Sequence, residues 1–105
     1  MVTGGLIDES LYVEALEAGA GAVVAGTYTL TPKSTHPPPY IARYSYGYVN
    51  AYGLRRAVRS AEGFILKVLS TADRVRGKAI CSFIEETPNA AAEGLKYLEG
   101  LGATP

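Results

Sequence analysis

The 105-residue chain contains one cysteine, one histidine and one methionine, and its formal charges cancel. Cys81 alone can form neither an intramolecular disulfide nor a cysteine-built zinc site, which fits a reducing compartment. His36 lies beside Pro37, Pro38 and Pro39, with no sequence neighbour that would make it a catalytic base, a role that needs a positioned partner. No apolar run approaches the roughly 18 residues of a membrane-spanning helix. Residues 1–5 have neither the basic start nor the apolar stretch of a secretory leader. Gly4-Gly5 and Gly19-x-Gly21 are too short for a dinucleotide fingerprint, and no Walker sequence occurs. These absences predict a soluble, cytoplasmic protein without a metal site.

What is present is ordinary for one globular domain. Apolar residues make up 48% of the chain, and 12 glycines and 6 prolines make it turn-rich without a repeat. The zero net charge hides an asymmetry. Residues 1–32 carry four acids and no bases, whereas residues 33–78 carry nine bases against Glu62 and Asp73. Residues 79–105 carry four acids against Lys96. A basic middle suits an anionic ligand; the competing reading is a set of solvated helix faces.

Leu11, Tyr12, Ala15 and Leu16 form an apolar stripe that predicts a first helix, with Asp8 as its N-cap and Gly19 and Gly21 as its stop. Residues 22–30, rich in valine and threonine, predict a buried strand. Residues 31–39 are a loop in which prolines remove backbone donors and favour an extended path. From 40 to 52, Tyr44, Tyr46, Tyr48, Asn50 and Tyr52 alternate as if on one face, predicting an ordered excursion. Leu54 opens the longest helical pattern, continued by Ala57, Val58, Ala61, Ile65, Val68, Leu69 and Ala72. Residues 78–84 predict a second buried strand, and Gly77 closes the connection before it. Thr87-Pro88 reads as an N-cap and first turn of a last helix with Ala91, Leu95 and Leu98 inward. Strands alternating with helices point to parallel βα units. Two or three such units leave open edges, so the chain reads as part of a larger barrel or sheet, marginal or associated when alone.

Several residues are chemical candidates. Cys81, inside a strand, reads as a small core residue. Glu85-Glu86 points in two directions on a strand and is assigned to capping the following helix rather than to acid–base work. Arg43-Tyr44-Ser45-Tyr46-Gly47-Tyr48 interleaves a base with aromatics, a pattern that suits stacking on nucleic-acid bases, although tyrosines on a strand also serve as half-buried packing.

The stretch Thr29-Leu30-Thr31-Pro32-Lys33-Ser34-Thr35-His36-Pro37-Pro38-Pro39, followed by Asn50-Ala51-Tyr52-Gly53-Leu54, resembles the dihydroorotate dehydrogenases, most closely the soluble class 1 enzymes. Residues 29–54 follow the family pattern without a gap, and a looser similarity runs from Thr3-Gly4 to residues 98–103. The resemblance implies an α/β fold, a partial (β/α)8 TIM barrel of about the first three βα units with parallel strands. It also implies an FMN-dependent oxidoreductase that oxidises dihydroorotate to orotate in pyrimidine biosynthesis. By the same resemblance Thr3, Gly4, Gly26 and Thr27 lie against the FMN. Asn50 hydrogen-bonds the pyrimidine, and Tyr52, Gly53 and Leu54 form the turn whose amides hold the carboxylate. The chain departs from the pattern at Gly26, where class 1 enzymes carry a lysine, and at His36, Tyr40 and Tyr52. The family's catalytic base and flavin-phosphate site fall outside the matched segment, so the implied partners are the remainder of the barrel or another chain, and a homo-oligomer. The alternatives are a non-catalytic relative needing a partner chain and a small nucleic-acid-binding module.

Overall fold

The computed structural model describes residues 1–3, 10–34, 36–51, 53–54 and 56–104. Its elements run β1 (Val2–Thr3), α1 (Ser10–Glu17), β2 (Ala22–Thr29), β3 (Ile41–Tyr44), β4 (Gly47–Asn50), β5 (Arg56–Ala57), α2 (Glu62–Arg74), β6 (Lys78–Phe83) and α3 (Pro88–Gly100). The two predicted strands are β2 and β6, and they pair in parallel from Ala22↔Lys78 to Tyr28↔Phe83. Val23 pairs with both Val2 and Ala79, and Tyr28 with both Arg56 and Phe83. Thus β2 is central, with β6 along one edge and the two short strands β1 and β5 sharing the other.

Strand parity divides this sheet into two faces that differ in burial. Val2, Val23 and Ala79 form one row toward the helices, followed by Ala25 and Cys81. These join a single core with Tyr12 and Leu16 of α1, Ile65, Val68 and Ala72 of α2, and Leu98 of α3. The next row, Thr3, Val24 and Ile80, points the other way, and none of its members belongs to that core. All three helices therefore cover one face. No member of that core lies on the other face, where Ile80 is 47% exposed, although Thr29 at its carboxyl end is 1% exposed. The fold is α/β with parallel strands in its main sheet, and β1, β5 and β6 are each followed directly by a helix.

Local chemistry explains most boundaries. The α1 helix ends where Gly19 adopts φ +102°, and the amide of Ala20 then reaches the carbonyl of Ala15 at 2.9 Å. The Thr87 side chain accepts the Ala90 amide at 3.2 Å, with Pro88 in the first turn of α3, as predicted. At the end of α2 the left-handed residue is Arg76, at φ +58°, and not the adjacent Gly77.

Three expectations are corrected. The pattern beginning at Leu54 becomes helix only from Glu62. Arg56 and Ala57 instead pair with Tyr28 and Thr29, and the Val58 amide donates to the Thr29 carbonyl at 2.8 Å. The two-residue β1 leaves the upper half of that edge of β2 unpaired, and satisfying its backbone outweighs helical propensity. The tyrosines do not share a face: β3 and β4 form an antiparallel hairpin with Arg43 opposite Tyr48 and Tyr44 opposite Gly47. The turn at Ser45 and Tyr46 breaks the alternation, so Tyr44 faces away from Tyr48 and Asn50. Finally, α3 buries Gly94 and Leu98, while Leu95 is 56% exposed. The reason is Phe83, whose ring fills the space a Cβ at Gly94 would occupy, 1.9 Å from that position. This glycine rotates the packing face away from Leu95. The predicted cap Asp8 lies outside the described residues.

Candidate functional site

Parallel strands direct their carboxyl ends, and the loops that follow, to one edge of the sheet, which is where such folds bind ligands. Here that edge holds a cleft of about 500 Å³ lined by Thr29, Lys33, Ser34, Leu54, Ile84, Glu85 and Glu86. On the amino-terminal side of Thr29, the β2–β6 register breaks between Ala25 and Tyr28. Gly26 sits in this break at φ +107°, and a Cβ there would lie 2.6 Å from the carbonyl oxygen of Ser82. Next to it the hydroxyls of Thr27 and Ser82 hydrogen-bond at 2.9 Å. One wall is the loop after β2, steadied where the Thr29 hydroxyl donates to the Thr31 carbonyl at 2.7 Å.

The other wall centres on Glu85. Its side chain is only 4% exposed, accepting the Leu30 amide at 2.8 Å and the Lys33 ammonium at 3.0 Å. The Lys33 hydrogen bond, followed by that from Leu30, holds the Glu85 carboxyl below the usual carboxylate range. The same bond raises Lys33 above the ordinary lysine value. Glu86, at the mouth, lies 3.9 Å from Lys33. The cleft lining thus carries one cation engaged by two acids. Two of the bases of the middle segment are engaged elsewhere: Arg74 pairs with Glu17 at 2.8 Å, and Arg59 reaches Glu93 at 3.5 Å and lies over the Tyr97 ring. Tyr97 in turn donates to Glu62, which raises its phenol above the ordinary value. For those arginines the solvated-face reading holds.

The candidate residues fall into three groups. Thr3 and Thr27 lie on the face of the sheet away from the helices, and Gly26 lies in the bulge beside Thr27. Leu54 lines the cleft, just after Gly53 at φ +74°. Asn50 ends β4 opposite Ile41, exposed at the base of the hairpin. Gly4 and Tyr52 lie outside the described residues. At that φ any side chain at Gly26 would meet the Ser82 carbonyl, so the position suits glycine. His36 is exposed in its loop. Cys81 packs against the core, and burial pushes its thiol up, away from nucleophile character. Among the described residues no cluster of three metal-ligating side chains occurs, and no helix is long and apolar enough to cross a membrane.

Sequence reasoning missed Lys33, Ser82 and the role of Glu85. Thr87 caps α3 without help, so Glu85 is free of the capping role expected of it. A signal did exist: the loop after β2 is poor in donors because of its prolines, so an acceptor from elsewhere has to hold the amides that remain. Only the fold shows that this acceptor comes from 55 residues further along the chain.

No family model matches the chain, and no solved structure matches it. Curated proteins do. The chain is 33% identical over 84 residues to the catalytic subunit of dihydroorotate dehydrogenase B (NAD+) of Desulforudis audaxviator, covering 80% of this chain and 27% of that protein. It is 34% identical over 89 residues to the subunit of the same name from Methanosarcina mazei, covering 85% of this chain and 28% of that protein. A third such subunit, from Thermoplasma volcanium, is 39% identical over 56 residues, 51% of this chain and 19% of that protein. The chain therefore spans 19–28% of the length of these relatives. Within that span, and across most of its own length, the chain is a relative of the dihydroorotate dehydrogenase family.

Proposed function

We propose that this chain furnishes the first βα units of an FMN-dependent (β/α)8 barrel that oxidises dihydroorotate to orotate in pyrimidine biosynthesis. The observation that carries this reading is the singly covered parallel sheet, with a cleft at its carboxyl edge lined in part by Leu54. A parallel sheet with helices on one face and branched side chains such as Val24 and Ile80 on the other is how the wall of such a barrel is built. Completing it requires further βα units, from the same or another chain, around the face that carries Thr3, Val24 and Ile80. The relatives are described as catalytic subunits of an NAD+-linked enzyme. That supports a partner subunit and NAD+ as the final electron acceptor. The assembled protein is read as a cytoplasmic homo-oligomer.

The residues present fit one part of FMN. Thr3, Thr27 and Ser82 put hydroxyls along an uncovered face suited to the flat ring system, and the Gly26 backbone lets the ring approach without a side chain between. Bound there, FMN supplies a two-electron acceptor. The protein's own groups bind and orient. The Asn50 amide both donates and accepts, matching the alternating edge of a pyrimidine. The backbone amides of Gly53 and Leu54 are fixed donors for the planar carboxylate, without the entropy loss of long side chains.

Co-purification of the chain with its native partners tests this reading. A yellow complex that binds orotate is expected. Within it, Asn50→Ala should keep its flavin and lose orotate binding by about 1–3 kcal/mol, the cost of an unmet buried partner. A colourless complex, or unchanged orotate affinity in Asn50→Ala, contradicts the reading.

A further inference from the structure

We propose that Glu85 is a positioning residue, whose sealed carboxylate fixes the path of the loop after β2 and thereby holds the cleft in one shape. Beyond the Thr29–Thr31 hydrogen bond, the loop is poor in donors: Pro32, Pro37, Pro38 and Pro39 carry no amide hydrogen, and none of its described residues lies in a strand. One Glu85 oxygen accepts the Leu30 amide, the first of the loop, and the other accepts Lys33 three residues on. A single side chain thus holds two points of the loop from a position 55 and 52 residues away in the chain. Both walls of the cleft, Lys33 and Ser34 on one side and Ile84, Glu85 and Glu86 on the other, are joined through it.

Charge is what makes this joint specific. Hydrogen bonds to an ionised acceptor are about twice as strong as neutral ones. A buried carboxylate facing an ammonium also leaves neither charge unbalanced. Glu86, the remaining acid of the cleft lining, is 86% exposed and 3.9 Å from the ammonium, so it cannot replace the sealed partner. This inference rests on the proposed function only for the identity of the ligand; the joint itself is a property of the chain.

Amide hydrogen exchange of the full chain, read by NMR, tests it. The isosteric Glu85→Gln change and, independently, Lys33→Met should each speed exchange at Leu30, whose amide Glu85 accepts, by about tenfold or more, the scale of a charged hydrogen bond. Amides of Val68 and Ala72 in α2 should keep their rates, which a general loss of stability would not allow. Lys33→Arg, which preserves the charge, should keep Leu30 within about threefold of the parent. Unchanged exchange at Leu30 in both variants, or exchange rising equally at Leu30, Val68 and Ala72, would overturn the proposal. Orotate binding is read separately. A chain that shows the loop effect but binds no orotate contradicts the enzymatic reading and leaves the role of Glu85 standing.

Discussion

The two faces of the main sheet are made of similar residues and meet opposite fates. Toward the helices, Val23 and Ala25 are sealed in a core shared by α1, α2 and α3. One residue along, Val24 and Ile80 look out from the other face, where Ile80 is as apolar as anything beneath the helices and remains half exposed. Composition does not separate the faces; coverage does. Burial energy scales with the area removed from water, so the same isoleucine stabilises on one side and merely waits on the other. The hairpin of β3 and β4 extends the contrast, with Ile41, Tyr44, Tyr46, Tyr48 and Val49 all more than half exposed. A two-stranded hairpin has little stability of its own.

Substitutions can break or sharpen this contrast. The largest effect belongs to Leu16→Ala, which empties a site 1% exposed between α1 and the sheet and should cost about 2–5 kcal/mol in urea unfolding. Gly94→Ala comes next, because the new methyl meets the Phe83 ring; a loss of about 1–3 kcal/mol is expected. Phe83→Leu in the same chain should recover part of it. Thr87→Ala, which removes the cap of α3, should cost about 1 kcal/mol. On the uncovered face, Ile80→Thr should fall within about 0.5 kcal/mol of the parent in the isolated chain. If Ile80→Thr proves as damaging as Leu16→Ala, the isolated chain covers that face by association, and sedimentation at two concentrations would show it.

A pH titration probes the rim between the faces. The Glu85 carboxyl is lowered, mainly by the Lys33 hydrogen bond. Its contribution is therefore complete above the ordinary value of 4.5 and is lost as pH falls through the lower folded value. Lys33 is raised by the same bond, so its contribution is complete below 10.5 and lost as pH rises through the higher folded value. Thermal unfolding should show this joint intact between those limits, and Glu85→Gln should flatten the acid side of the profile.

Much of the fold was legible in the residues. The β2 and β6 strands announced themselves by β-branched and apolar runs, and Thr87-Pro88 located the start of α3. Periodicity found the right side chains of α2 but the wrong start, because Ala57 and Val58 are apolar for a strand edge and would be equally apolar for a helix. Leu95 was misplaced because a glycine signals nothing about the ring seated on it. The hairpin was foreseen as an excursion, yet its facing was not, since a turn at Ser45 and Tyr46 interrupts an alternation that continues unbroken on paper. Leu54, singled out by its motif, does line the cleft. The joint made by Glu85 could not be found in this way, because it depends on two segments that only parallel pairing brings together.

That pairing also sets the order in which the chain can assemble. Thr27 and Ser82 meet across 55 residues, whereas Tyr44 and Gly47 close the hairpin from three residues apart. Hairpins form in about 1–10 μs, and distant contacts must first overcome the entropy of closing the loop between them. The exposed hairpin lies inside the segment that β2 and β6 must close, so forming it early shortens the effective loop. A segment that adds little to the final stability can in this way set the pace of folding. Lengthening the Ser45–Tyr46 turn with glycines should slow refolding while leaving the unfolding rate nearly unchanged.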